Sequence, residues 1–341
     1  MTVDKQTTEP GVESKAAGHA APARRRIVVI LGLDRFSGLY VWAILILIFS
    51  LWVPSLFDTV TNFRIIAGSQ AITAMVAMGL IVPVACGAYD LSIGGTVGMG
   101  VCIVVWFQAN HHGYALGILV ALAFGLLVGL ANGFIVNVLN VDSFIGTLGM
   151  SSILLAGTSW VTGGFQVANG ISPHFTAIGQ KQVLGLPLPV FYMAGLALIL
   201  WWLLEYTPVG RYLYSIGGNP QAAKLAGIRV ARIKTGAFLA SGLVAAFSGV
   251  ILAAELGSSG PDVGAPYLLP AFSAVFLGAT QILPGRVNVL GTLIAIFLLA
   301  TGVKGLQLAG APGYVNDLFN GAALIIAVAL AARAYASHRK A

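Results

Sequence analysis

Four carboxylates lie in or beside apolar stretches of this chain: Asp90, Glu205, Glu255 and Asp317. An ionisable group at membrane depth costs at least about 2.5–3.5 kcal/mol on insertion scales, so each demands a reason. Glu205 closes an apolar run and can reach Arg211, while Glu255 and Asp317 fall near the ends of theirs. Asp90 stands apart, in the segment Gly87-Ala88-Tyr89-Asp90-Leu91-Ser92-Ile93-Gly94-Gly95. An Asp two residues before a Ser suits a helix N-terminus. Asp90, Ser92 and Gly94 therefore read as a capped break between half-helices, with gating or substrate contact as the functional alternatives.

Other chemistry is missing from the sequence. It holds no GxxxxGK[ST] phosphate loop, no HExxH and no Cys/His cluster at metal spacing. His111 and His112 suit a solvated turn better than a metal pair. Cys86 and Cys102, inside apolar runs, read as small buried hydrophobes. An intramembrane enzyme is poorly supported, and no metal or cofactor is expected in this chain.

The most patterned polar stretch is 207–234. Asn219 followed by Pro220 is a helix cap with Pro at the first helical position, and Gly227 supplies a stop. The short helix between them, exposing Ala222, Ala223, Leu225 and Ala226, reads as a docking peg for a cytoplasmic partner, with Lys224 beside it. An interfacial helix resting on lipid headgroups is the alternative. Gln70, Asn132, Trp160, Ser273, Asn316 and Phe319 are polar or aromatic residues in apolar spans, candidates to line a solute path or simply to pack.

The elements that must position these residues follow from composition. Of 341 residues, 58% are apolar and 9% charged, against about 25% charged in soluble domains. Mean hydropathy is +0.91, so most of the chain is solvated by lipid. The net charge of +7 does not indicate nucleic acid, because the basic residues sit in short loops and at the termini. Residues 1–35, with Arg24-Arg25-Arg26, read as a disordered cytoplasmic tail. Behind it the turn and charge signals divide 36–341 into about ten spans of roughly 20 residues. These are 36–57, 65–87, 93–110, 114–137, 143–163, 188–206, 234–256, 266–283, 287–308 and 313–333. With both termini inside, all but Arg64, Lys181 and Lys304 of the 18 Lys and Arg fall on the inner side, as the positive-inside rule requires. The fold class is therefore all-α and polytopic, and an inverted pairing of two five-helix halves is compatible with the span directions. Gly125, Gly129 and Gly133, one turn apart, mark a face for close helix packing.

Several segments resemble the permease subunits of ribose-type ABC importers. They are Asp90-Leu91-Ser92-Ile93-Gly94, Phe144 to Met150, Gly210 to Ile228, Phe276 to Thr280 and Gly291-Thr292-Leu293-Ile294. The resemblance runs from about residue 40 to 333. It implies a ten-helix permease of the bacterial inner membrane, carrying a sugar, a sugar alcohol or a similar small polar solute. It also implies a second permease copy, a tandem-domain ATPase on the cytoplasmic face holding ATP and Mg, and a periplasmic or lipid-anchored sugar-binding protein. Asn219 to Gly227 would be the coupling helix. Tyr267-Leu268-Leu269-Pro270 and Gln281 to Arg286 depart from the family pattern. The competing class is an ion-coupled secondary transporter, which would need a carboxylate or unwound carbonyls at mid-depth.

Overall fold

The computed structural model describes residues 33–338. Residues 1–32 of the expected tail, with the Arg24–Arg26 run, and the basic pair Arg339 and Lys340 lie outside the described residues. Helix α1 (Leu33–Trp52) begins within the last residues assigned to that tail. Pro54 cannot continue it, and it starts the four-residue α2 (Pro54–Phe57) instead. α3 (Val60–Ala85) is capped by Thr59, whose side chain accepts from Asn62 N, and it ends just past Pro83. α4 (Ile93–Ala109), α5 (Tyr114–Asn137) and α6 (Ser143–Thr162) follow. Asp142 caps α6, and a left-handed Gly163 closes it.

A short α7 (Pro173–Gln180) and a hairpin, β1 (Gln182–Val183) with β2 (Leu186–Pro187), form one end of the molecule. α8 (Leu188–Tyr206) returns to the other end. There the expected loop folds into two helices, α9 (Pro208–Gly218) and α10 (Pro220–Leu225). α9 escapes a span-by-span hydropathy reading because it is amphipathic, burying Gly210, Leu213 and Ile216 while Tyr212 stays exposed. This end, rich in Arg and Lys, is called the basic end below. The chain continues with α11 (Val230–Leu256), a 3-10 turn (Ala265–Tyr267), α12 (Leu268–Gly278), α13 (Val289–Leu308) and α14 (Val315–His338).

Every expected span holds a helix. Among the described residues seven helices are long and apolar enough to cross a membrane, and Ile93–Ala109, Ala265–Gly278 and Val315–Ala329 are shorter apolar ones. The eighth span, expected over 266–283, stops at Gly278. Polar Thr280 and Gln281, a left-handed Ile282 and Pro284-Gly285 turn the chain there.

α3, α4 and α11 form the centre, while α1, α5, α6 and α8 show rows of exposed Leu, Ile and Val outward, as lipid-facing helices do. The glycine stripe of α5 performs its expected role against α11. A Cβ on Gly125 would strike Gly242 O, one on Gly129 would strike Phe238 O, and one on Gly133 would sit 2.7 Å from the Thr235 methyl.

Candidate functional site

Two cavities share walls from α3, α12 and α14. The first, about 380 Å³, opens at the end away from α9. Ser69, Gln70 and Thr73 of α3, Lys304 and Gln307 of α13, and Asn316, Asp317 and Asn320 of α14 are its polar lining, and Pro266, Pro270 and aliphatic residues of α3 and α13 make up the rest of the wall. Gln307 Nε2 donates to Asn316 Oδ1 at 3.1 Å. Such a wall offers amides and hydroxyls of both hydrogen-bonding senses to a polar solute.

The second cavity, about 520 Å³, lies at the basic end. Its wall comes from the end of α3 (Val84, Ala85), from Tyr89, from Tyr214 and Gly217 of α9, from Phe276 and Ala279, and from Arg286, Val287 and Val328. Between the cavities α3 is closed: Ala74 through Val82 are all buried. On α12 Phe276, which lines the second cavity, stacks on Phe272. α3, α12 and α14 thus carry a polar cavity at one end and an aromatic one at the other, with a buried stretch of α3 between them.

Beside this column lies a polar knot. Asp90 is 1% exposed. Its Oδ1 accepts from Ser92 N (3.1 Å) and Ser92 Oγ (2.6 Å), and its Oδ2 accepts from Ser241 Oγ of α11 (2.6 Å). Asn132 Nδ2 of α5 donates to Ser92 Oγ at 2.8 Å and to Asp90 Oδ1 at 3.4 Å. Asn132 is therefore placed in this knot and away from the vestibule. Neither Asp90 nor Ser92 makes the expected side-chain cap, since Ser92 is the N-cap residue of α4 with no cap bond. Asp90 closes a turn over Ser92 instead. Gly94 packs against Gly264 O and Leu268, so the start of α4 touches the start of α12.

The other expected lining residues are dispersed. Gln70 and Asn316 face the first cavity together. Ser273 is buried and donates to Leu269 O and Asn320 O, and Phe319 fills the space over Gly302. Trp160 is 86% exposed on a separate apolar groove with Trp106 and Phe124. Sequence reading missed Ser69, Thr73, Lys304, Gln307 and Asn320. Their signal was helical spacing: Gln70 with Thr73, Lys304 with Gln307 and Asn316 with Asn320 each put two polar groups on one face of an apolar helix.

The short helix α10, expected to dock a partner, is capped by Asn219, whose Oδ1 accepts from Gln221 N and Ala222 N at 3.1 and 3.0 Å. Pro220, Ala222, Lys224, Leu225, Ala226 and Gly227 are exposed, and Leu225 at 90% is its most prominent side chain. Ala223, expected on the exposed face, is 4% exposed. It points inward because Ile228 N folds back onto Ala223 O at 3.0 Å and closes the turn beneath it. A second correction concerns Glu205. It pairs with Arg286 and not with Arg211, because the turn after α12 brings Arg286 back to the end of α8.

Residues 62–328 match the family described as the permease component of branched-chain amino acid transport systems. The chain belongs to that family. It is 33% identical over 303 residues to the ribose import permease protein RbsC of Bacillus subtilis (strain 168), covering 89% of this chain and 93% of that one. The corresponding RbsC of Escherichia coli (strain K12) is 32% identical over 292 residues, 84% of this chain and 89% of that one. The autoinducer 2 import system permease protein LsrD of Photorhabdus laumondii is 32% identical over 292 residues, covering 83% and 86%. No solved structure matches the chain significantly. Among the described residues no group of three or more His, Cys, Asp or Glu is placed to hold a metal ion.

Proposed function

We propose that this chain is the membrane subunit of an ATP-driven importer for a sugar, sugar alcohol or similar small polar solute. The observation that carries the reading is the pair of cavities at opposite ends of α3, α12 and α14, separated by the buried stretch 74–82 of α3. A pathway that opens alternately to each side needs a vestibule at each end and a plug that can part. The names of the ribose and autoinducer 2 relatives support a small polar cargo. All ten apolar segments cross the inner membrane, the basic end faces the cytoplasm, and the polar vestibule faces outward. ATP and Mg bind to a tandem-domain ATPase seated on α10. A solute-binding protein delivers cargo to the α7 end, and a second permease copy completes the assembly.

The test is uptake into proteoliposomes holding the permease, its ATPase and the binding protein, with labelled ribose and autoinducer 2 as first probes. Accumulation that requires ATP on the α10 side is expected. Uptake that follows an imposed sodium or proton gradient without ATP would instead establish the ion-coupled class. Reporter fusions after residue 225 should read cytoplasmic and fusions near Lys181 external, and the opposite pattern would overturn the orientation.

A further inference from the structure

The turn 279–288, between α12 and α13, is held more elaborately than a connector requires. Asn288 Nδ2 donates to Gly278 O (3.2 Å), Gln281 O (3.0 Å) and Arg286 O (3.2 Å). Ile282 sits at φ 60. A β-branched residue is disfavoured in that region, and such strain persists only where the surroundings enforce it. Here Ile282 N donates to Arg35 O of α1 at 2.8 Å.

Arg286, at the far side of the turn, lines the inner cavity. Its Nη2 meets both carboxylate oxygens of Glu205 at the end of α8. Its guanidinium carbon lies 4.2 Å from the centroid of the Tyr214 ring. The Tyr214 hydroxyl donates to Val287 O at 3.0 Å, so α9 grips both the side chain and the backbone of the turn.

α9 is also a wall of that cavity, and it packs tightly on the end of α3. Gly217 lies so close to Ala85 O that a Cβ there would collide with it. One residue, Asn219, separates α9 from the docking helix α10. A partner that displaces α10 therefore moves Tyr214, and with it the group that holds Arg286.

We propose that Arg286 is the positioning residue of an inner gate. Held by Glu205 and Tyr214 it closes the basic-end mouth of the inner cavity, and α9 withdraws it when the ATPase moves α10. This rests on the reading of the chain as an ATP-driven permease, and it adds the residues through which that drive reaches the pathway.

The experiment measures cavity access by thiol labelling. Val84, half-buried on the inner cavity wall, is replaced by Cys in a Cys86→Ala, Cys102→Ala background. The complete importer, in inside-out vesicles, is exposed to a membrane-impermeant charged maleimide. Arg286→Ala and Glu205→Gln should each speed labelling by roughly tenfold, the scale of one lost charge-assisted bond. Arg286→Glu should do the same, and adding Glu205→Arg should bring the rate back down. An Arg286→Ala importer that assembles normally and labels at the parental rate overturns the gate. Should that variant fail to assemble, the reversed pair decides: slow labelling supports the gate and fast labelling sinks it.

A non-hydrolysable ATP analogue should change the labelling rate of the parent but not of Tyr214→Ala. An equal response in both removes α9 as the link. Labelling does not depend on cargo, so the two readings fail separately. ATP-driven uptake with labelling indifferent to the pair rejects the gate alone. Labelling that follows the pair, from an importer that shows no ATP-driven uptake in the proteoliposomes, rejects the permease reading alone.

Discussion

A carboxylate enclosed in a membrane protein must be held by dipoles when no cation reaches it. Asp90 meets that condition: among the described residues the ion pair found is Arg286 with Glu205, while Asp90 is held by two serines, an asparagine and a backbone amide. Removing it strands buried donors on α4, α5 and α11 at about 1–3 kcal/mol each. Asp90→Ala should accordingly lower the thermal unfolding midpoint of the detergent-solubilised protein strongly, by about 2–5 kcal/mol in stability. Asp90→Asn, which keeps one acceptor oxygen, should lose clearly less. Equal losses would mean that the carboxylate's hydrogen bonds contribute little. The break around Asp90 was legible locally, from glycines flanking a short polar segment. Its partners were not, since Asn132 and Ser241 lie 42 and 151 positions away. Nothing in the local pattern distinguishes a serine that back-bonds within its own helix from one that reaches across to another.

Helices explain which faces are free to act. In α10 the cap was readable from Asn219-Pro220, but its orientation was not, because a six-residue helix has too few turns to display a periodic face. The fold shows that a bulky group at Ala223 would disrupt the turn to Ile228 and so would test stability before docking. Leu225 is the better probe. Leu225→Asp should weaken capture of the ATPase in a pull-down by about tenfold or more, as loss of an apolar anchor does, while leaving membrane insertion intact. Normal capture would free α10 of its docking role. The α5 stripe offers the complementary case. Gly129→Leu must push Phe238 and Leu239 of α11 apart and should destabilise the helix pair. Leu127→Ala, at a 62% exposed position facing lipid, should leave the melting midpoint nearly unchanged. The stripe was legible because glycine spacing is a local signal. The amphipathic α9 was not, because an average over an apolar window hides a helix lying along a surface.

Over the whole molecule, charge placement and apolar run length put a helix in every expected span but gave no sign of α7 or α9, and the paired cavities emerged only from packing. Polar residues of α3 converge on one cavity with those of α13 and α14, more than 200 positions further along the chain. The Glu205–Arg286 pair, 81 positions apart, was equally hidden: from sequence, Arg211 was the nearer cation.

The brevity of the helical segment Ala265–Gly278 bears on how the chain is made. At 1.5 Å per residue it covers about 21 Å, short of the roughly 30 Å hydrocarbon slab. The polar turn after it must find its hydrogen bonds inside the protein, and Asn288, which begins α13, supplies three of them. During synthesis that segment emerges before Asn288 exists, so its stable insertion waits on residues not yet translated. A nascent chain stalled after residue 284 should therefore leave the segment open to protease or to glycosylation tags, and one stalled after α13 should protect it. Equal protection at both lengths would show that the short helix inserts on its own hydrophobicity.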